Sequence, residues 1–425
     1  MLVSEHIHFF SHRKDRPLHY THDQIKRSIR LLRFEMIVTS ALLSIPIMVP
    51  FYLDIGMTYA QVGLSQALFT LSVVVLNIPT GWIADRVSRK ACNAIGDTIV
   101  ALSILWYSTV SSFGGVVAAE VVFGVGFALS RGVDASLLRS YYEALGQADL
   151  YRPIKARTTM WSIMFGVPVV VLGGFIGSID LRLTIALSSV TFFVGAGLSM
   201  KLVEIRSRQD KPLTQENTRV LSSIKGWGAT LRSSTRAMMS VVAYALHGHT
   251  KLRWSIFAAA VANESTHVQV WILTGLMLAA GIPLEIVGIG WALNSVAQTT
   301  GAFIASKLAH RLHDVQIVLV GLIGLTIGMG SVAISLNIVT VSLYAGIGLA
   351  RGWYAALLEP MIQRHAPSEF HATILSIAGT VSGCLYMLCV WGFTALADVS
   401  YQLAMGGWLI AVGPTLVLAA SKLRR

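Results

Sequence analysis

Residues 81–90 read G-W-I-A-D-R-V-S-R-K, and this stretch decides how the chain is organised. A long apolar run ends at Ala84, and the next six positions carry four charged residues, Asp85, Arg86, Arg89 and Lys90. Apolar sequence then resumes almost at once. A short basic turn between two membrane-length segments is typical of the cytoplasmic side of a membrane protein. The stretch therefore predicts a membrane-spanning chain with this turn in the cytoplasm.

The composition of the 425-residue chain also indicates a polytopic membrane protein. Hydrophobic residues make up 54% of the chain and charged residues only 13%, and the mean hydropathy is +0.65. Soluble domains carry about 25% charged residues. The three cysteines, Cys92, Cys384 and Cys389, lie inside apolar segments, so the sequence gives no indication of a disulfide-bonded ectodomain.

Twelve apolar segments follow one another along the chain. Each approaches or exceeds the roughly 20 residues that a helix needs to cross the hydrocarbon core. Because the bilayer interior holds no water to satisfy backbone groups, these segments must be helices. We expect an all-α membrane protein with 12 transmembrane helices, at about 31–55, 59–84, 91–110, 114–138, 155–178, 182–203, 252–279, 284–308, 314–334, 337–361, 370–395 and 398–421.

The positions of the 33 lysine and arginine residues predict the orientation. Arg131 and Arg351 lie within predicted spans and Arg182 lies in a predicted outer loop. All the others flank the inner ends of spans or occupy the tails and the middle segment. This asymmetry places both termini in the cytoplasm. The formal net charge of +12 therefore reflects membrane topology, and we expect no nucleic-acid partner.

The spans divide the chain into two bundles with polar ends. We expect a cytoplasmic N-terminal tail at 1–30, a six-helix bundle at 31–203, a cytoplasmic linker at 204–251, a second six-helix bundle at 252–421 and a short tail at 422–425. The tail is rich in histidine, but its spacings fit no closed metal-ligand set, so a solvated or membrane-surface tail is favoured over a metal site. Apolar residues at helical spacing among basic residues predict an amphipathic helix within the linker.

An internal repeat supports this division. Residues 123–138 read F-G-V-G-F-A-L-S-R-G-V-D-A-S-L-L, and residues 345–358 read A-G-I-G-L-A-R-G-W-Y-A-A-L-L. Arg131 and Gly132 match Arg351 and Gly352 at an offset of 220 (351 − 131). Duplicated halves of six spans are typical of secondary transporters.

Together these features resemble the major facilitator superfamily, whose signature turn reads G-x-x-x-D-R-x-G-R-K, with Ser88 here in the place of the second glycine. The resemblance implies the fold of that family, in which two six-helix bundles rock about a central cavity. Within the family, the run N-I-P-T-G-W-I-A-D-R looks like the twelve-helix efflux branches. The resemblance also implies a gating latch against the start of helix 11, or alternatively contacts to lipid phosphates, from Gly81, Asp85, Arg86, Arg89 and Lys90.

The seventh predicted span carries the densest polar cluster inside the membrane. Glu264 and His267 are three residues apart and Asn263 precedes them, so these three side chains can meet on one helix face, with Gln269 on a neighbouring face. A buried carboxylate beside an imidazole suits proton uptake and release, and a polar cavity for substrate. The alternative is a polar helix-packing cluster in which Glu264 is permanently protonated or salt-bridged.

The fourth span adds further candidates. Glu120 is a second proton-site candidate, or else an outer group that reaches water. Arg131 and Asp134, at i and i+3, can form an ion pair, and Asp134 is a further proton-coupling candidate. The repeat gives Arg351 the role that corresponds to Arg131, either in binding an anionic substrate or in closing the inner gate.

In the eighth span, Asn294 and Gln298 are four residues apart and are candidates to line the same cavity. The chain shows no phosphate-binding loop, nucleophile elbow or closed metal set, so we expect no cofactor, no metal and no enzymatic activity.

The preferred function is proton-coupled export of small amphipathic molecules by alternating access. The first alternative is an importer of an anionic nutrient, either a proton symporter or a facilitator. A further alternative is a membrane enzyme or sensor that does not transport. We expect a monomer in the bacterial inner membrane, with a small-molecule substrate, protons and lipids as partners.

Overall fold

The computed structural model describes residues 20–86, 88–130, 132–205, 249–367 and 371–424. Within these ranges the regular secondary structure is helical. The tail before Tyr20 and the predicted amphipathic helix of the linker lie outside the described residues. The helices of the N-terminal half are α1 His22–Thr39, α2 Met48–Asp54, α3 Tyr59–Arg86, α4 Arg89–Tyr107, α5 Phe113–Ser130, α6 Val133–Ala144, α7 Tyr151–Ile179 and α8 Leu181–Met200.

The C-terminal half follows the same plan. Short 3₁₀ turns, such as Leu284–Ile286, precede some of the helices in both halves. The helices of this half are α9 Thr250–His267, α10 Val270–Ala279, α11 Val287–Leu308, α12 Asp314–Ile334, α13 Ile338–Leu343, α14 Ala345–His365, α15 His371–Val399 and α16 Tyr401–Arg424.

The expected class, an all-α membrane protein, is confirmed in the described part of the chain. Seven segments there are long and apolar enough to cross a membrane: Tyr59–Leu76, Phe113–Ala144, Ala148–Ile179, Leu181–Met200, Asp314–Ile334, Ile374–Val399 and Tyr401–Arg424. The count of twelve spans and the cytoplasmic position of the termini stay predictions.

The first helix begins earlier than the apolar pattern predicts. Thr21 and Gln24 form a capping box: the Thr21 hydroxyl accepts a hydrogen bond from the Gln24 N–H, and the Gln24 side-chain oxygen accepts one from the Thr21 N–H. Ile25, Ile29 and Leu32 are buried in the first turns of α1. The sequence missed this part because the buried residues are separated by charged ones, and only their 3–4-residue spacing marks the helix.

Each half packs mainly on itself, and the halves meet along two helix pairs. In the N-terminal half α4 packs between α5 and α8, and in the C-terminal half α14 packs against α9, α11 and α12. The halves touch where α3 runs beside α15 and where α7 runs beside α11. The second contact is very close, because a Cβ added to Gly174 would lie 2.7 Å from the backbone nitrogen of Gly288. Only glycine lets two helix backbones approach to this degree.

The fourth predicted span is not one helix. The sequence predicts a continuous helix over 114–138, but α5 ends at Ser130 and α6 begins at Val133. Gly132 adopts φ = +79° between them, a left-handed conformation that side chains disfavour. Its repeat equivalent, Gly352, lies inside the continuous α14. The interruption at Gly132 therefore has no counterpart at Gly352, although the two sequences match.

We expect Gly132→Ala to lower the free energy of unfolding by about 1 kcal/mol, because alanine is strained at positive φ. Gly197→Ala is the matched control: Gly197 lies within α8, and an added Cβ meets nothing within 4 Å at either position. Alanine at 197 is expected to stabilise by about 0.5–1 kcal/mol, since glycine is a poor helix former. Thermal unfolding of the purified variants in detergent measures both changes in stability. Changes of the same sign at the two positions would contradict the left-handed conformation of Gly132.

Candidate functional site

Glu264 lies at the centre of a hydrogen-bonded cluster between α9 and α15. Its side chain is only 3% exposed. Its Oε1 accepts hydrogen bonds from Nδ2 of Asn263, at 2.7 Å, and from the hydroxyl of Ser382 on α15. Its Oε2 lies 3.4 Å from Nδ1 of His267. The structure thus brings together the three side chains that helical spacing placed on one face, and it adds Ser382, which the sequence analysis did not single out.

His267 links this buried carboxylate to accessible space. Its side chain is 41% exposed, although its Nδ1 faces Glu264. The imidazole stacks on the ring of Tyr386, with centroids 4.6 Å apart and planes inclined by 24°. An accessible imidazole beside a buried carboxylate can carry a proton to and from it.

The helix that carries the cluster stops directly after it. The sequence predicts one helix over 252–279, but α9 ends at His267 and α10 begins at Val270. Gln269 lies in the break. Its side-chain nitrogen donates to the carbonyl of Ser265 at 2.5 Å, its own carbonyl accepts from the Tyr344 hydroxyl at 2.9 Å, and its buried Oε1 has no hydrogen-bond partner. Broken membrane helices occur where backbone is buried in protein or lines a cavity, and often near binding sites.

Arg351 brings positive charge to the same region from α14. It is partly buried and interacts electrostatically with Glu264, Tyr344 and Tyr386. Among the described residues it forms no ion pair within 4.0 Å. A guanidinium offers five N–H donors, so those of Arg351 are available to a ligand with a carboxylate or phosphate group.

Glu120 is a second buried carboxylate, in the N-terminal half. It is 5% exposed and accepts hydrogen bonds from Nε2 of Gln66 and from the Tyr52 hydroxyl, the latter at 3.3 Å. The hydroxyls of Tyr52 and Tyr107 also lie 3.3 Å apart. The alternative of an outer group that reaches water does not describe this side chain. Tyr52, Gln66 and Tyr107 belong to α2, α3 and α4, so no local spacing marks this group in the sequence.

Tyr386 of α15 lies within electrostatic range of both carboxylates. It interacts electrostatically with Glu264, Glu120 and Arg351. Its hydroxyl accepts a hydrogen bond of 2.8 Å from Nε1 of Trp271, a residue of α10 that also packs against the core of the N-terminal half. The two carboxylates that the sequence singled out for proton coupling are therefore both within electrostatic range of one tyrosine of the C-terminal half.

Asp134, a further candidate of the fourth span, is paired with a residue of another helix. Asp134 is partly exposed and its Oδ2 lies 3.7 Å from Nζ of Lys155 on α7. Arg131 lies outside the described residues, so the predicted Arg131–Asp134 ion pair stays a prediction. The spacing argument for it assumed a continuous helix, whereas Gly132 interrupts the helix between the two residues.

Asn294 and Gln298 lie where α11 packs closely on α14. A Cβ added to Gly348 would lie 2.5 Å from Oδ1 of Asn294, a buried oxygen without a hydrogen-bond partner. A Cβ added to Gly352 would collide with the backbone carbonyl of Gln298. Both residues thus border a tight glycine contact, and their role in lining a cavity stays a prediction.

The turn between α3 and α4 is capped by Glu204, which follows α8. The Glu204 carboxylate accepts hydrogen bonds from the Ser88 hydroxyl (2.7 Å) and from the backbone N–H groups of Arg89 (3.0 Å) and Lys90 (3.1 Å). The Ser88 oxygen in turn accepts from the N–H of Ala91 at 3.1 Å. Ser88, the departure from the signature motif, is therefore the N-cap of α4, a position that favours a side-chain oxygen.

The side chains of this turn that the structure describes bind within the N-terminal half. Nζ of Lys90 donates to the carbonyl of Leu202 at 3.1 Å, and Arg89 donates to the hydroxyl of Ser140 at 3.3 Å. The remaining members of the predicted latch have side chains outside the described part, and so does the start of helix 11. The latch stays a prediction for all five of its residues.

The described contacts between the halves cluster at the end of the molecule opposite this turn, here called the distal end. There the Asp398 carboxylate, at the end of α15, accepts hydrogen bonds from the N–H groups of Tyr59 (2.6 Å) and Ala60 (2.8 Å), the first residues of α3. A carboxylate from one half thus caps a helix N-terminus of the other half, where the helix dipole is positive.

Further contacts of the distal end surround this cap. The hydroxyls of Tyr59 and Tyr401 lie 2.6 Å apart, and both pack against Gly275, where a Cβ would collide with them. The hydroxyl of Thr274 donates to the carbonyl of Pro46 at 2.7 Å. The distal end is closed by polar contacts that join the two halves directly.

A helical membrane protein in two halves, with charged side chains buried where the halves meet, has the architecture of a secondary transporter. The family model of the Major Facilitator Superfamily matches residues 36–388. The chain belongs to that superfamily, and it is a transporter in the membrane and not an enzyme.

The chain is similar to YitZ of Bacillus subtilis (strain 168), which is described as an uncharacterized MFS-type transporter. The two sequences are 22% identical over 157 residues, and the match covers 36% of this chain and 93% of that protein. Among solved structures it is similar to the nucleoside transporter NupG in a mutant form (TM-score 0.74, 11% identity, 94% of this chain and 100% of the other). A D-xylose–proton symporter gives a TM-score of 0.65 at 13% identity, covering 95% and 96%. At these identities the likeness shows the fold.

We expect Asp398→Asn to shift the protein toward conformations with an open distal end, because the amide caps the N-terminus of α3 without the charge. The loss is expected to be about 0.3–1 kcal/mol, a two- to fivefold change in the ratio of conformations. Spin labels at the distal ends of α3 and α15 measure the distance distribution. The control is Asp180→Asn, which removes a similar cap within one half, where Asp180 accepts from the N–H of Leu183 at 3.0 Å. Equal shifts in both variants would contradict the role of Asp398 between the halves.

Proposed function

We propose that this transporter is a proton-coupled antiporter that exports small amphipathic molecules. The observation that supports it is the pair of buried carboxylates, Glu264 and Glu120, one in each half, with Tyr386 within electrostatic reach of both. A proton or a ligand bound in this region affects both halves at once. That arrangement is what alternating access requires, since each ligand must bias the same conformational equilibrium.

The proposed coupling runs through Glu264. When the carboxylate is ionised, it holds Asn263 and Ser382 as donors and attracts a cationic or polar substrate. When it is protonated, the attraction is lost and the substrate leaves. Because His267 is accessible while its Nδ1 faces Glu264, it is the proposed path of the proton. Proton and substrate then compete for one group, which couples their fluxes in opposite directions.

Aromatic side chains near this region favour an amphipathic substrate. Phe69, Phe123 and Phe127 form a partly buried cluster on α3 and α5, with ring centroids 5.5–6.2 Å apart. Rings of this kind bind apolar surface and, through their faces, cationic groups. Together with two carboxylates they favour neutral and cationic molecules over anionic ones.

The second candidate function is uptake of a small anionic nutrient. The observation that favours it is Arg351, which interacts with Glu264 electrostatically but is held in no ion pair among the described residues. An anionic substrate would take the guanidinium donors, and protonation of Glu264 would then remove the competing negative charge. This mechanism predicts symport of a proton with the anion.

The transporter also has a proposed location, oligomeric state and set of lipid contacts. We infer a bacterial inner membrane, a monomer that contains the whole pathway, and lipid contacts for the basic turn. With the predicted topology the closed distal end faces outward, and we infer an inward-facing state from that closure. The predicted latch of Asp85 and its neighbours would form in the opposite state.

The first test is substrate-driven proton movement in proteoliposomes, with neutral, cationic and anionic compounds. We expect a neutral or cationic compound to move protons, and Glu264→Gln to reduce that flux at least about tenfold, since glutamine cannot exchange a proton. The control is Glu285→Gln, an exposed carboxylate in the turn before α11. Full proton coupling in Glu264→Gln would contradict the assignment of the proton to this residue.

The second test is Arg351→Gln, scored by binding of anionic compounds to the purified protein. If the anion mechanism holds, affinity falls by about 10–100-fold, the loss of a charged hydrogen-bond donor. Arg253→Gln, an exposed arginine of α9, is the control and leaves affinity unchanged. Binding of cationic but not anionic compounds, unaffected by Arg351→Gln, would exclude the second candidate.

A further inference from the structure

Two more carboxyl groups meet inside the N-terminal half, away from the region between the halves. Glu35 lies on α1 and Asp97 on α4, and each is 3% exposed. The two carboxyl groups interact electrostatically. A Cβ added to Gly195 of α8 would lie 2.5 Å from the methyl carbon of Thr39, one turn after Glu35 on α1, and 2.9 Å from Oδ2 of Asp97. Oε2 of Glu35 and Oδ2 of Asp97 are buried, and neither has a hydrogen-bond partner among the described residues. Two carboxyl groups can share a hydrogen bond only if one of them carries a proton, because a carboxylate has no donor.

The surroundings of this pair exclude water. Asn93, which is 1% exposed, approaches Glu35 with its side chain and donates from Nδ2 to the hydroxyl of Ser199 at 2.9 Å. A Cβ added to Gly195 of α8 would lie 2.9 Å from Oδ2 of Asp97, so the backbone of α8 lies directly on the carboxyl group. Buried charges in such packing are costly unless they are neutralised.

The nearby charges do not neutralise the pair. Asp134 of α6 adds a further negative charge that acts on both carboxyl groups, and it is itself paired with Lys155 of α7. Arg33 is close in sequence to Glu35, but its Nε donates to the hydroxyl of Thr158 at 2.9 Å. Neither Glu35 nor Asp97 forms an ion pair with the described residues, and Arg131 lies outside them.

We propose that Glu35 and Asp97 form a proton-binding site that holds one shared proton. The protonated carboxyl group donates its O–H to the other carboxylate, so the pair carries a single negative charge in place of two. A metal cation fits less well, because hard cations need about six oxygen ligands, and no group of three or more candidate metal-ligating side chains occurs in the described part of the chain.

The location defines what this proton does. The shared proton connects side chains of α1 and α4 within one half, whereas Glu264 and Glu120 lie where the halves meet. The shared proton therefore holds the helices of the N-terminal half together, and its binding does not depend on substrate. Loss of the proton would place two negative charges next to each other and loosen the packing of the N-terminal half around them.

The test is infrared spectroscopy of the purified full-length protein in lipid nanodiscs at neutral pH, which detects the C=O stretch of protonated carboxyl groups. We expect Glu35→Gln, Asp97→Asn and the double variant each to lose the intensity of the same one carboxyl group per chain. Glu143→Gln, an exposed carboxylate paired with Arg139, is the control and loses none.

Three results would overturn the proposal. An unchanged spectrum in all three variants would mean that both groups are ionised and neutralised by a cation. A double variant that loses twice the intensity of each single one would mean two separate protons. Sodium that raises the melting temperature of the parent, but not of Glu35→Gln, at fixed pH and ionic strength would mean a metal cation site.

Variants of buried groups can fail to fold, so the chain with the pair intact provides a second measurement. In Glu120→Gln/Glu264→Gln, alkaline titration is expected to remove the intensity of one carboxyl group while the protein stays folded. Absence of any such loss, with no carboxyl signal at neutral pH, would also overturn the proposal. Because neither measurement involves transport, its outcome is independent of whether the proposed export activity is found.

Discussion

A carboxylate inside a bundle of membrane helices needs hydrogen-bond donors from the protein, because the hydrocarbon supplies none. This requirement ties helices together at fixed positions. Glu264 joins α9 to α15 through Ser382, and Glu120 joins α5 to α2 and α3 through Tyr52 and Gln66. The acidic side chains proposed for proton coupling therefore also fix how these helices sit against one another.

The same requirement explains which parts of the site the sequence could predict. Asn263, Glu264 and His267 are neighbours on one helix, so their spacing was enough to bring them together, and the structure agrees. Ser382 is 118 residues from Glu264, and Gln66 is 54 from Glu120. Such partners are fixed by which helices pack side by side, and hydrophobic periodicity does not specify that.

The fold class could be predicted from the sequence, because the length of an apolar segment and the charges that flank it are properties of single segments. The interruptions of the helices could not be predicted in this way. Gly132 and the break after His267 lie inside apolar runs that read as continuous, and the start of α1 lies among charged residues. Ser88 stands where the signature motif has glycine, and only the structure shows that its hydroxyl caps α4 and binds Glu204. In each case a local backbone conformation or a partner from a distant part of the chain decided the structure, and the pattern of apolar and charged residues did not reveal it.

The cap of α3 by Asp398 is exposed, unlike the buried carboxylates of the two halves. It is an attraction between a charge and a helix dipole in water, and dissolved ions weaken such attractions over a Debye length of about 8 Å at physiological ionic strength. The membrane has little influence on it. One of the contacts that hold the distal end closed therefore varies in strength with the salinity of the surrounding medium: dilute surroundings strengthen it, and saline surroundings weaken it.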